Sequence, residues 1–349
     1  MKGLDLKKLV RPLVLKIAPY RSARDEFEDF EAQNIFLDAN ENPFENGYNR
    51  YPDPQQRKLK RKLAEIKSVY ADQILLGNGS DEVLDLIFRA FCEPSQDEVM
   101  LLPPTYGMYE VLAKLNDINI QEVPLNEEFQ LDIKAIKARV STKTKIIFVC
   151  SPNNPSGNAL PLNEIESLFD FFDGLVVLDE AYVDFSEREG GLSVLNKFPR
   201  LIVCQTLSKA YGLAGIRLGM CFADATIISV LNTIKPPYNI NVLTQSVAFD
   251  GLEDAPAIEQ QIQLIVSERI RMATAFSTFK FVKKVFKSDA NFLLIKVDDA
   301  NKRYDALVKQ GVVVRNRSKL HNCESTLRIT IGTPEENNKL ISICKNLDQ

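Results

Sequence analysis

The stretch LIVCQTLSKAYGLAGIRLG, residues 201–219, joins an apolar run to a segment of small and hydroxyl-bearing residues. The run LIVCQ is short and partly β-branched, which predicts a buried strand. Thr206 and Ser208 follow this run, Lys209 comes next, and Arg217 lies eight residues after the lysine. Hydroxyl and guanidinium groups bind phosphate, and a lysine amine can hold a ligand covalently. The stretch therefore predicts a strand followed by a phosphate-binding segment with one candidate reactive amine.

The same alternation of strand and helix patterns extends over residues 74–222. The runs ILL, EVMLL, KIIFVC, LVVLD and LIVCQ predict strands, and stretches such as DEVLDLIFRAF, YGMYEVLAKL and LNEIESLFDFF predict helices between them. Strands that alternate with helices are typical of an α/β fold with a mostly parallel central sheet sandwiched by helices. Ligands in such folds bind beyond the carboxyl ends of the strands. Candidate site residues are therefore expected directly after each strand.

The pattern changes after this region. Ile258, Ile262, Ile265, Met272, Phe276 and Phe279 are spaced 4, 3, 7, 4 and 3 residues apart, which predicts one face of a long helix. Beyond it, NFLLIKV, GVVVR and TLRITIG predict three strands, and KRYDALVKQ and PEENNKLISICKNL predict two helices. We predict a large domain over residues 35–244, and a small α+β domain formed by residues 1–34 and 245–349.

Composition and charge exclude several classes of protein. The formal net charge is -4 at pH 7, and 45% of the residues are hydrophobic, which is typical of a soluble globular protein. This charge gives no reason to expect nucleic acid as a partner. No run approaches the ~18 uninterrupted apolar residues of a membrane span. The opening MKGLDLKKLVRPLVLKI is broken by charges, unlike a signal peptide, so we expect a cytoplasmic protein with no membrane partner.

The histidine and cysteine content narrows the chemistry. The single histidine, His321, lies in a polar stretch and is expected in a surface loop, which disfavours histidine-based triads and sites with several imidazoles. The six cysteines form no C-x-x-C pair, so neither a zinc ribbon nor a redox motif is indicated. We expect no metal site, and we expect Cys150, Cys204 and Cys221 to be buried core residues.

The segment GNGSDE, residues 77–82, joins a predicted strand to a predicted helix. Its glycines let the amides of Gly79, Ser80 and Asp81 approach an anion at the start of the helix. The segment is not a dinucleotide fingerprint, because Glu82 stands where the third glycine belongs, and it lacks the Gly-Lys-Ser/Thr ending of a P-loop. The alternative interpretation is an ordinary turn in which Ser80 or Asp81 caps the helix.

Three further candidates follow other strands. Tyr106, in PPTYGMY, is placed to stack on a flat ligand, and Asn154, in SPNNPSG, to donate to a ligand oxygen. The alternatives are plain packing for the tyrosine and a turn role for the asparagine. Asp179 ends an apolar strand, where a carboxylate requires a cationic partner such as a protonated ring nitrogen, and Tyr182 follows it. The alternative for Asp179 is a helix N-cap.

Taken in order, GNGSDE, PPTY, SPNNPSG, LDEAY, TLSKAYGLAGIRLG and LRITIG resemble the fold-type I aminotransferases, which use pyridoxal 5′-phosphate. The resemblance covers nearly the whole chain. It implies that the large domain binds the cofactor and that Lys209 binds it covalently and then carries a proton between the substrate and the cofactor.

The resemblance also implies a role for each residue that binds the cofactor. Thr206, Ser208 and Arg217 would bind its phosphate, together with the amides around Gly79, Ser80 and Asp81. Asp179 would keep the ring nitrogen protonated, Asn154 and Tyr182 would hydrogen-bond the ring hydroxyl oxygen, and Tyr106 would stack on the ring. Tyr51, in NRYPD, would reach the phosphate from the neighbouring subunit, which implies a homodimer with shared sites.

Other residues resemble those that bind the substrate in this family. Arg328, in LRITIG, would bind the carboxylate of an amino acid such as glutamate, and Arg315 would be a second anion ligand. The alternative for Arg315 is a surface charge at a strand end. APYRSARDE and LDANENPF resemble the branch of the family that acts on histidinol phosphate, with Tyr20 and Asn40 lining the pocket; Arg21 departs from the glutamine more usual there.

The expected reaction transfers an amino group between L-glutamate and imidazole-acetol phosphate, in histidine biosynthesis. An aromatic amino acid aminotransferase and a decarboxylase of phosphorylated amino acids share the cofactor-binding residues and remain open alternatives. A nucleotide-dependent dehydrogenase is disfavoured by the missing third glycine.

Overall fold

The computed structural model describes residues 5–20, 22, 24 and 35–348. Within this part the helices are α1 (Leu6–Leu9), α2 (Arg57–Lys67), α3 (Gly79–Phe91), α4 (Met108–Leu115), α5 (Ile133–Arg139), α6 (Leu162–Ser167), α7 (Ala225–Ile234), α8 (Val242–Gly251), α9 (Ala255–Phe276), α10 (Ala300–Lys309) and α11 (Pro334–Leu347). The strands are β1 (Ile74–Asn78), β2 (Glu98–Leu101), β3 (Asn119–Glu122), β4 (Thr144–Cys150), β5 (Leu175–Asp179), β6 (Leu201–Thr206), β7 (Leu218–Phe222), β8 (Val282–Val285), β9 (Phe292–Val297), β10 (Arg315–Asn316) and β11 (Thr326–Thr330).

A seven-stranded sheet has the strand order β1-β7-β6-β5-β4-β2-β3, and a four-stranded sheet has the order β10-β11-β9-β8. All five strands predicted between residues 74 and 205 are present, as β1, β2, β4, β5 and β6. Their alternation with helices confirms the predicted α/β class. Two strands of this sheet, β3 and β7, are absent from the prediction. Strand β7 pairs antiparallel with both β1 and β6, so it is an exception in a mostly parallel sheet.

Close backbone contacts divide the chain into two units. The first takes its described residues from Met1–Glu98, Val111–Asn119 and Gly191–Ala255. Its strands β1, β7 and β6 are almost wholly buried, which explains their nearly continuous apolar sequences. Helix α3 buries an apolar face that includes Val83, Leu84 and Ile87. This packing fixes the amino end of α3 beside the strands.

The second unit comprises Val99–Glu110, Ile120–Gly190 and Pro256–Gln349. Its strands β4 and β5 are parallel, and Cys150 pairs with Asp179, so both strands end at the same edge. The loop SPNNPSG therefore begins beside Asp179. Its four-stranded sheet packs on α9 and α11 around a core that includes Phe276, Leu293 and Leu327.

The structure corrects some predicted elements near the carboxyl end. The long helix ends at Phe276, so Phe279 lies beyond it, although both side chains are buried. The stretch GVVVR is not a regular strand, because only Arg315 and Asn316 pair with β11. Strand β8 was not predicted, since its sequence VKKV contains two lysines and only two apolar residues. The division into residues 35–244 and residues 1–34 with 245–349 stays a prediction.

Candidate active site

In the first unit, three adjacent strands align the candidate phosphate-binding residues. Gly219 of β7 pairs with Gly77 of β1 on one side and with Thr206 of β6 on the other. This row lies at the carboxyl ends of β1 and β6, as the α/β rule requires. A side chain on Gly219 would collide with the backbone of Gly79 and Ser80. The glycine therefore allows the start of α3 to approach β7 closely.

Arg217 lies against the amino end of α3. The amide of Gly79 donates a 2.8 Å hydrogen bond to the Arg217 carbonyl oxygen, and a Cβ on Gly79 would lie 2.5 Å from the guanidinium. The Arg217 guanidinium is 3.9 Å from the Asp81 carboxylate and about half exposed. Asn78, the N-cap residue of α3, makes no side-chain cap. The first turn of α3 and Arg217 therefore form one concave, hydrogen-bond-donating surface.

Two hydroxyl groups lie beside this surface. Thr206 is buried, and its hydroxyl has two acceptors within reach. These are Ser208 Oγ at 3.0 Å and the Leu218 carbonyl oxygen at 3.1 Å, and the single hydroxyl hydrogen can be donated to either. The Ser208 amide donates to Thr206 Oγ1 at 3.1 Å, which closes a tight turn after β6. Lys209 follows this turn and is exposed. The structure thus brings Gly79, Ser80, Asp81, Thr206, Ser208 and Arg217 together in the first unit.

In the second unit, Asp179 is buried at the end of β5. One of its carboxylate oxygens accepts a 2.6 Å hydrogen bond from the Tyr109 hydroxyl, and the other accepts a 3.1 Å bond from the Ala181 amide. The second bond resembles a capping contact, which was the alternative interpretation of this residue. The pKa of Tyr109 is raised well above its ordinary value by burial and then by the charge of Asp179. Tyr109 therefore stays protonated and acts as a permanent donor to this carboxylate.

Tyr109 is a site residue that the sequence analysis did not find. It lies three residues after Tyr106, and the two rings meet edge to face with centroids 5.6 Å apart. Tyr109 also stacks on Phe148 of β4 and is fully buried, whereas Tyr106 is half-buried. The signal was the spacing Tyr-x-x-Tyr at the start of a predicted helix, a spacing that brings side chains together on a helix. In the structure α4 begins at Met108, so Tyr106 lies just before it.

Asn154 and Arg328 are in direct contact. The Arg328 guanidinium donates a 2.5 Å hydrogen bond to Asn154 Oδ1 and lies over the Phe292 ring at 5.2 Å. Tyr182 meets the same ring edge to face at 5.2 Å. Burial raises the pKa of the Tyr182 hydroxyl, and the nearby Arg328 charge opposes this shift. The structure therefore brings Asn154, Tyr182 and Arg328 together around Phe292.

Arg317 is the second site residue that the sequence analysis did not find, and it completes a cluster with Arg315 and Arg328. Arg315 pairs with Arg328 across β10 and β11. Burial lowers the pKa of both Arg317 and Arg328, and repulsion from neighbouring guanidinium groups lowers it further. Within the described part of the chain, none of the three forms an ion pair with a carboxylate, and Arg317 Nε is buried without a hydrogen-bond acceptor. Such a cluster favours binding of an anion.

The remaining candidates lie near the amino end of the first unit. Tyr51 stacks on Tyr238 with ring centroids 4.4 Å apart and is 49% exposed. Tyr51 and Asn40 line a cleft of about 440 Å³. Tyr20 is 75% exposed and does not line this cleft. Arg21, the departure from the usual sequence of the branch, lies outside the described residues.

The histidine and three of the cysteines lie in the surroundings that the sequence predicts. His321 is exposed, and Cys150, Cys204 and Cys221 are buried, as predicted. Among the described residues, no group of three or more potential ligands is arranged to bind a metal ion. No helix in the same part of the chain is both long and apolar enough to cross a membrane.

Comparisons with known proteins agree with this arrangement. Residues 27–343 match the family model described as aminotransferase class I and II. Histidinol-phosphate aminotransferase of Christiangramia forsetii is 55% identical over 348 residues, covering 100% of this chain and 99% of that protein. The enzyme of the same name from Flavobacterium johnsoniae is 54% identical over 349 residues, covering 100% of both chains.

A solved structure shows the same fold. The crystal structure of the histidinol-phosphate aminotransferase from Clostridium acetobutylicum has a TM-score of 0.79 and is 24% identical, covering 86% of this chain and 90% of that one. The match of the family model over most of the chain, together with these relatives, leads to one conclusion. This chain belongs to the class I and II aminotransferase family.

Proposed function

We propose that the protein transfers an amino group between L-histidinol phosphate and 2-oxoglutarate, giving imidazole-acetol phosphate and L-glutamate, as a step of L-histidine biosynthesis. The observation that carries this choice is the cluster of Arg315, Arg317 and Arg328, which has no carboxylate partner among the described residues. A phosphorylated substrate and a dicarboxylic acid are both anions that such a cluster stabilises. The names of the relatives at 55% and 54% identity support the same choice.

The residues of the first unit suit the phosphate of pyridoxal 5′-phosphate. The first turn of α3 has no side-chain cap from Asn78, and Arg217 lies close enough that even a methyl group on Gly79 would collide with it. We assign the amides of Ser80 and Asp81, the hydroxyls of Thr206 and Ser208, and the Arg217 guanidinium to this phosphate. The Gly79 amide already donates to the Arg217 carbonyl oxygen, so Gly79 contributes by letting Arg217 approach the start of the helix. Backbone donors at a helix start and a guanidinium both favour a dianion.

The residues of the second unit suit the ring. When bound, pyridoxal 5′-phosphate supplies an aldehyde carbon and an electron-withdrawing ring. Asp179 holds a proton on the ring nitrogen, because a buried carboxylate is stabilised by an adjacent cation. Asn154 and Tyr182 hydrogen-bond the ring oxygen, and Tyr106 stacks on the ring face. Tyr109 orients Asp179 through their 2.6 Å hydrogen bond.

Lys209 is the catalytic residue of this proposal. Its primary amine holds the cofactor and then accepts and returns the proton at the substrate carbon. The flexible lysine stem and the turn made by Thr206 and Ser208 allow one amine to perform both tasks.

Four residues are assigned to the substrates. Arg328 binds the carboxylate of glutamate, since a guanidinium offers two parallel donors, and Arg315 is the second anion ligand. Tyr20 and Asn40 are assigned to the substrate on the resemblance alone, since Tyr20 lies outside the cleft that Asn40 lines. We further propose a cytoplasmic homodimer in which Tyr51 reaches the cofactor phosphate of the neighbouring subunit.

An absorption experiment tests the proposed function. The visible spectrum of the purified holoenzyme is recorded before and after addition of L-histidinol phosphate, with L-phenylalanine and L-glutamate as parallel additions. The expected result is loss of the long-wavelength cofactor band with histidinol phosphate and glutamate, at concentrations where phenylalanine has little effect. Lys209→Ala is the matched control, because removing the amine prevents the conversion.

The other outcomes are equally informative. Equal conversion by phenylalanine would contradict the choice of substrate and favour an aromatic aminotransferase. Release of carbon dioxide from an added phosphorylated amino acid, without formation of a keto acid, would favour a decarboxylase. A protein that shows no cofactor band after reconstitution would refute the whole proposal.

A further inference from the structure

A second cationic site lies in the first unit, apart from the residues assigned above. A cleft of about 490 Å³ is lined by α2, α7 and the 3₁₀ helix Ala71–Gln73. We call it the basic cleft. The polar residues that line it are Gln55, Arg57, Lys60, Arg61, Asp72, Ser229 and Asn232. None of its lining residues belongs to the proposed cofactor or substrate sites.

Lys60 is the unusual member of the basic cleft. Its side chain lies in the buried part of α2 and is only 7% exposed. Among the described residues, no acceptor lies within hydrogen-bonding distance of its ammonium group and no carboxylate pairs with it. A buried ammonium group without a partner is costly. The group therefore requires an anion or water that the protein itself does not supply.

The charges around Lys60 do not compensate it. Asp53 forms a 2.6 Å ion pair with Arg57 and is therefore already engaged. Burial and then the like charge of Lys235 lower the Lys60 pKa to about 8, and the attraction of Asp53 opposes this shift only in part. Arg61, the next residue of α2, has no ion pair within the described part of the chain. Lys60 and Arg61 thus contribute two cations without an ion pair among the described residues, and the cleft lining holds the single carboxylate of Asp72.

The opposite wall of the cleft offers an acceptor. Asn232 Oδ1 is buried and has no hydrogen-bond donor among the described residues. Ser229 lies three residues earlier on α7, so both residues share one helix face. A ligand that satisfies both walls carries anionic oxygens on one side and a donating hydroxyl group on the other.

We propose that the basic cleft binds a phosphate-bearing small molecule, with Lys60 and Arg61 donating to its phosphate oxygens and Asn232 accepting from one of its hydroxyl groups. A phosphate fits better than a carboxylate, because its charge of nearly two matches the two cations, whereas a carboxylate carries a single charge. The cleft is separate from the proposed phosphate sites of the enzyme, so occupancy of the two can be measured independently.

The test is site-resolved labelling of lysine amines in the holoenzyme. The protein is treated with trace acetic anhydride over a range of pH, and acetylation at each lysine is read by mass spectrometry. Inorganic phosphate and glycerol 3-phosphate are compared with glycerol and chloride at equal ionic strength. We expect both phosphates to slow acetylation of Lys60 at least about fivefold, since a bound anion both shields the amine and raises its pKa. Acetylation of Lys62 should not change.

Two charge-matched variants separate binding in the cleft from a general field effect. Arg61→Gln removes a ligand, whereas Lys62→Gln removes the neighbouring charge outside the cleft lining. Both positions lie on the accessible side of α2, so neither substitution disturbs the core. We expect Arg61→Gln to abolish most of the protection and Lys62→Gln to preserve it.

Several outcomes would overturn the inference. One is unchanged acetylation of Lys60 in saturating phosphate. Another is equal loss of protection in the two variants, which would indicate screening rather than a site. A Lys60 amine that reacts at no pH would show that it does not reach the cleft. Protection by glycerol 3-phosphate but not by inorganic phosphate would support the hydroxyl contact to Asn232, and protection by inorganic phosphate alone would exclude that contact.

Discussion

The Tyr109 hydroxyl donates a 2.6 Å hydrogen bond to Asp179, although the two residues are 70 positions apart in the chain. Both side chains are buried, and burial followed by the charge of Asp179 raises the pKa of Tyr109, so the hydroxyl remains a donor. The bond holds one oxygen of the buried carboxylate in a defined position. The bond links α4 to the end of β5. The sequence predicts both elements, but neither the helix pattern nor the strand pattern reveals this contact.

Removing this donor should destabilise the protein. For Tyr109→Phe we expect the free energy of unfolding to fall by about 1–3 kcal/mol, because a hydrogen bond to a buried charge is lost. Urea unfolding of the apoprotein measures this effect without a contribution from the cofactor. Tyr304→Phe is the control, because Tyr304 packs on the four-stranded core. An equal loss of unfolding free energy in the two variants would show that the hydrogen bond to Asp179 contributes no more to stability than an ordinary tyrosine hydroxyl.

Gly79 should be essential for the anion-binding surface rather than only for its backbone conformation. Both Gly79 (φ +75°) and Gly212 (φ +66°) are left-handed, so alanine at either position should cost about 1 kcal/mol of stability. A Cβ meets Arg217 at 2.5 Å only at Gly79, whereas nothing lies within 4 Å at Gly212. We therefore expect Gly79→Ala alone to weaken pyridoxal 5′-phosphate binding, by at least about tenfold. Fluorescence titration of the apoprotein measures both affinities, and similar affinities would contradict the proposed phosphate site.

Arg317 should contribute to binding of the phosphorylated substrate. Its half-buried guanidinium and unpartnered Nε lie in the cluster with Arg315 and Arg328. For Arg317→Gln we expect the KM for histidinol phosphate to rise at least about tenfold with a smaller change in kcat, as for loss of a charge-assisted contact. Steady-state kinetics at saturating 2-oxoglutarate provide the comparison. Lys319→Gln, two residues further on and exposed, should leave KM within about twofold of the wild type. A comparable rise in both variants would point to a general charge effect.

Lys60 should make the free energy of unfolding depend on pH in the alkaline range. Its pKa is lowered from 10.5 to about 8 in the folded protein, so the folded state releases its proton before the unfolded state does. Stability should therefore rise as pH increases from about 8 to about 10.5, the window in which only the unfolded state keeps the proton. Below this window the buried ammonium destabilises the fold, and Lys60→Met should raise the free energy of unfolding by up to about 3 kcal/mol.

Urea unfolding of wild type and Lys60→Met at pH 7 and pH 10 measures this difference, with phosphate-free buffers to keep the basic cleft empty of added anion. The advantage of the variant should shrink at the higher pH. A constant difference would mean that the Lys60 amine has an ordinary pKa in the folded protein.

Much of the fold follows from local patterns in the chain. Strand β5 and helix α11 have the predicted bounds, because an unbroken apolar run and a capped amphipathic repeat are signals carried by neighbouring residues. The order of Lys209, Asp179 and Asn154 after their strands is likewise readable, since parallel strands present their carboxyl ends at one edge. These signals were sufficient to predict the α/β class and most of the candidate residues.

Other features depend on partners that are distant in sequence. Strand β7 escaped prediction because its glycine-containing sequence LGMCF becomes a strand only through pairing with β1 and β6. Tyr109 and Arg317 carry ordinary local signals, and their roles arise from contact with Asp179 and from the uncompensated charges of the arginine cluster. Local periodicity in the sequence thus determined most of the helices and strands and the candidate residues that follow them. Only the tertiary structure decided which buried side chains contact a charged group and which lack a partner, because both depend on residues distant in the chain.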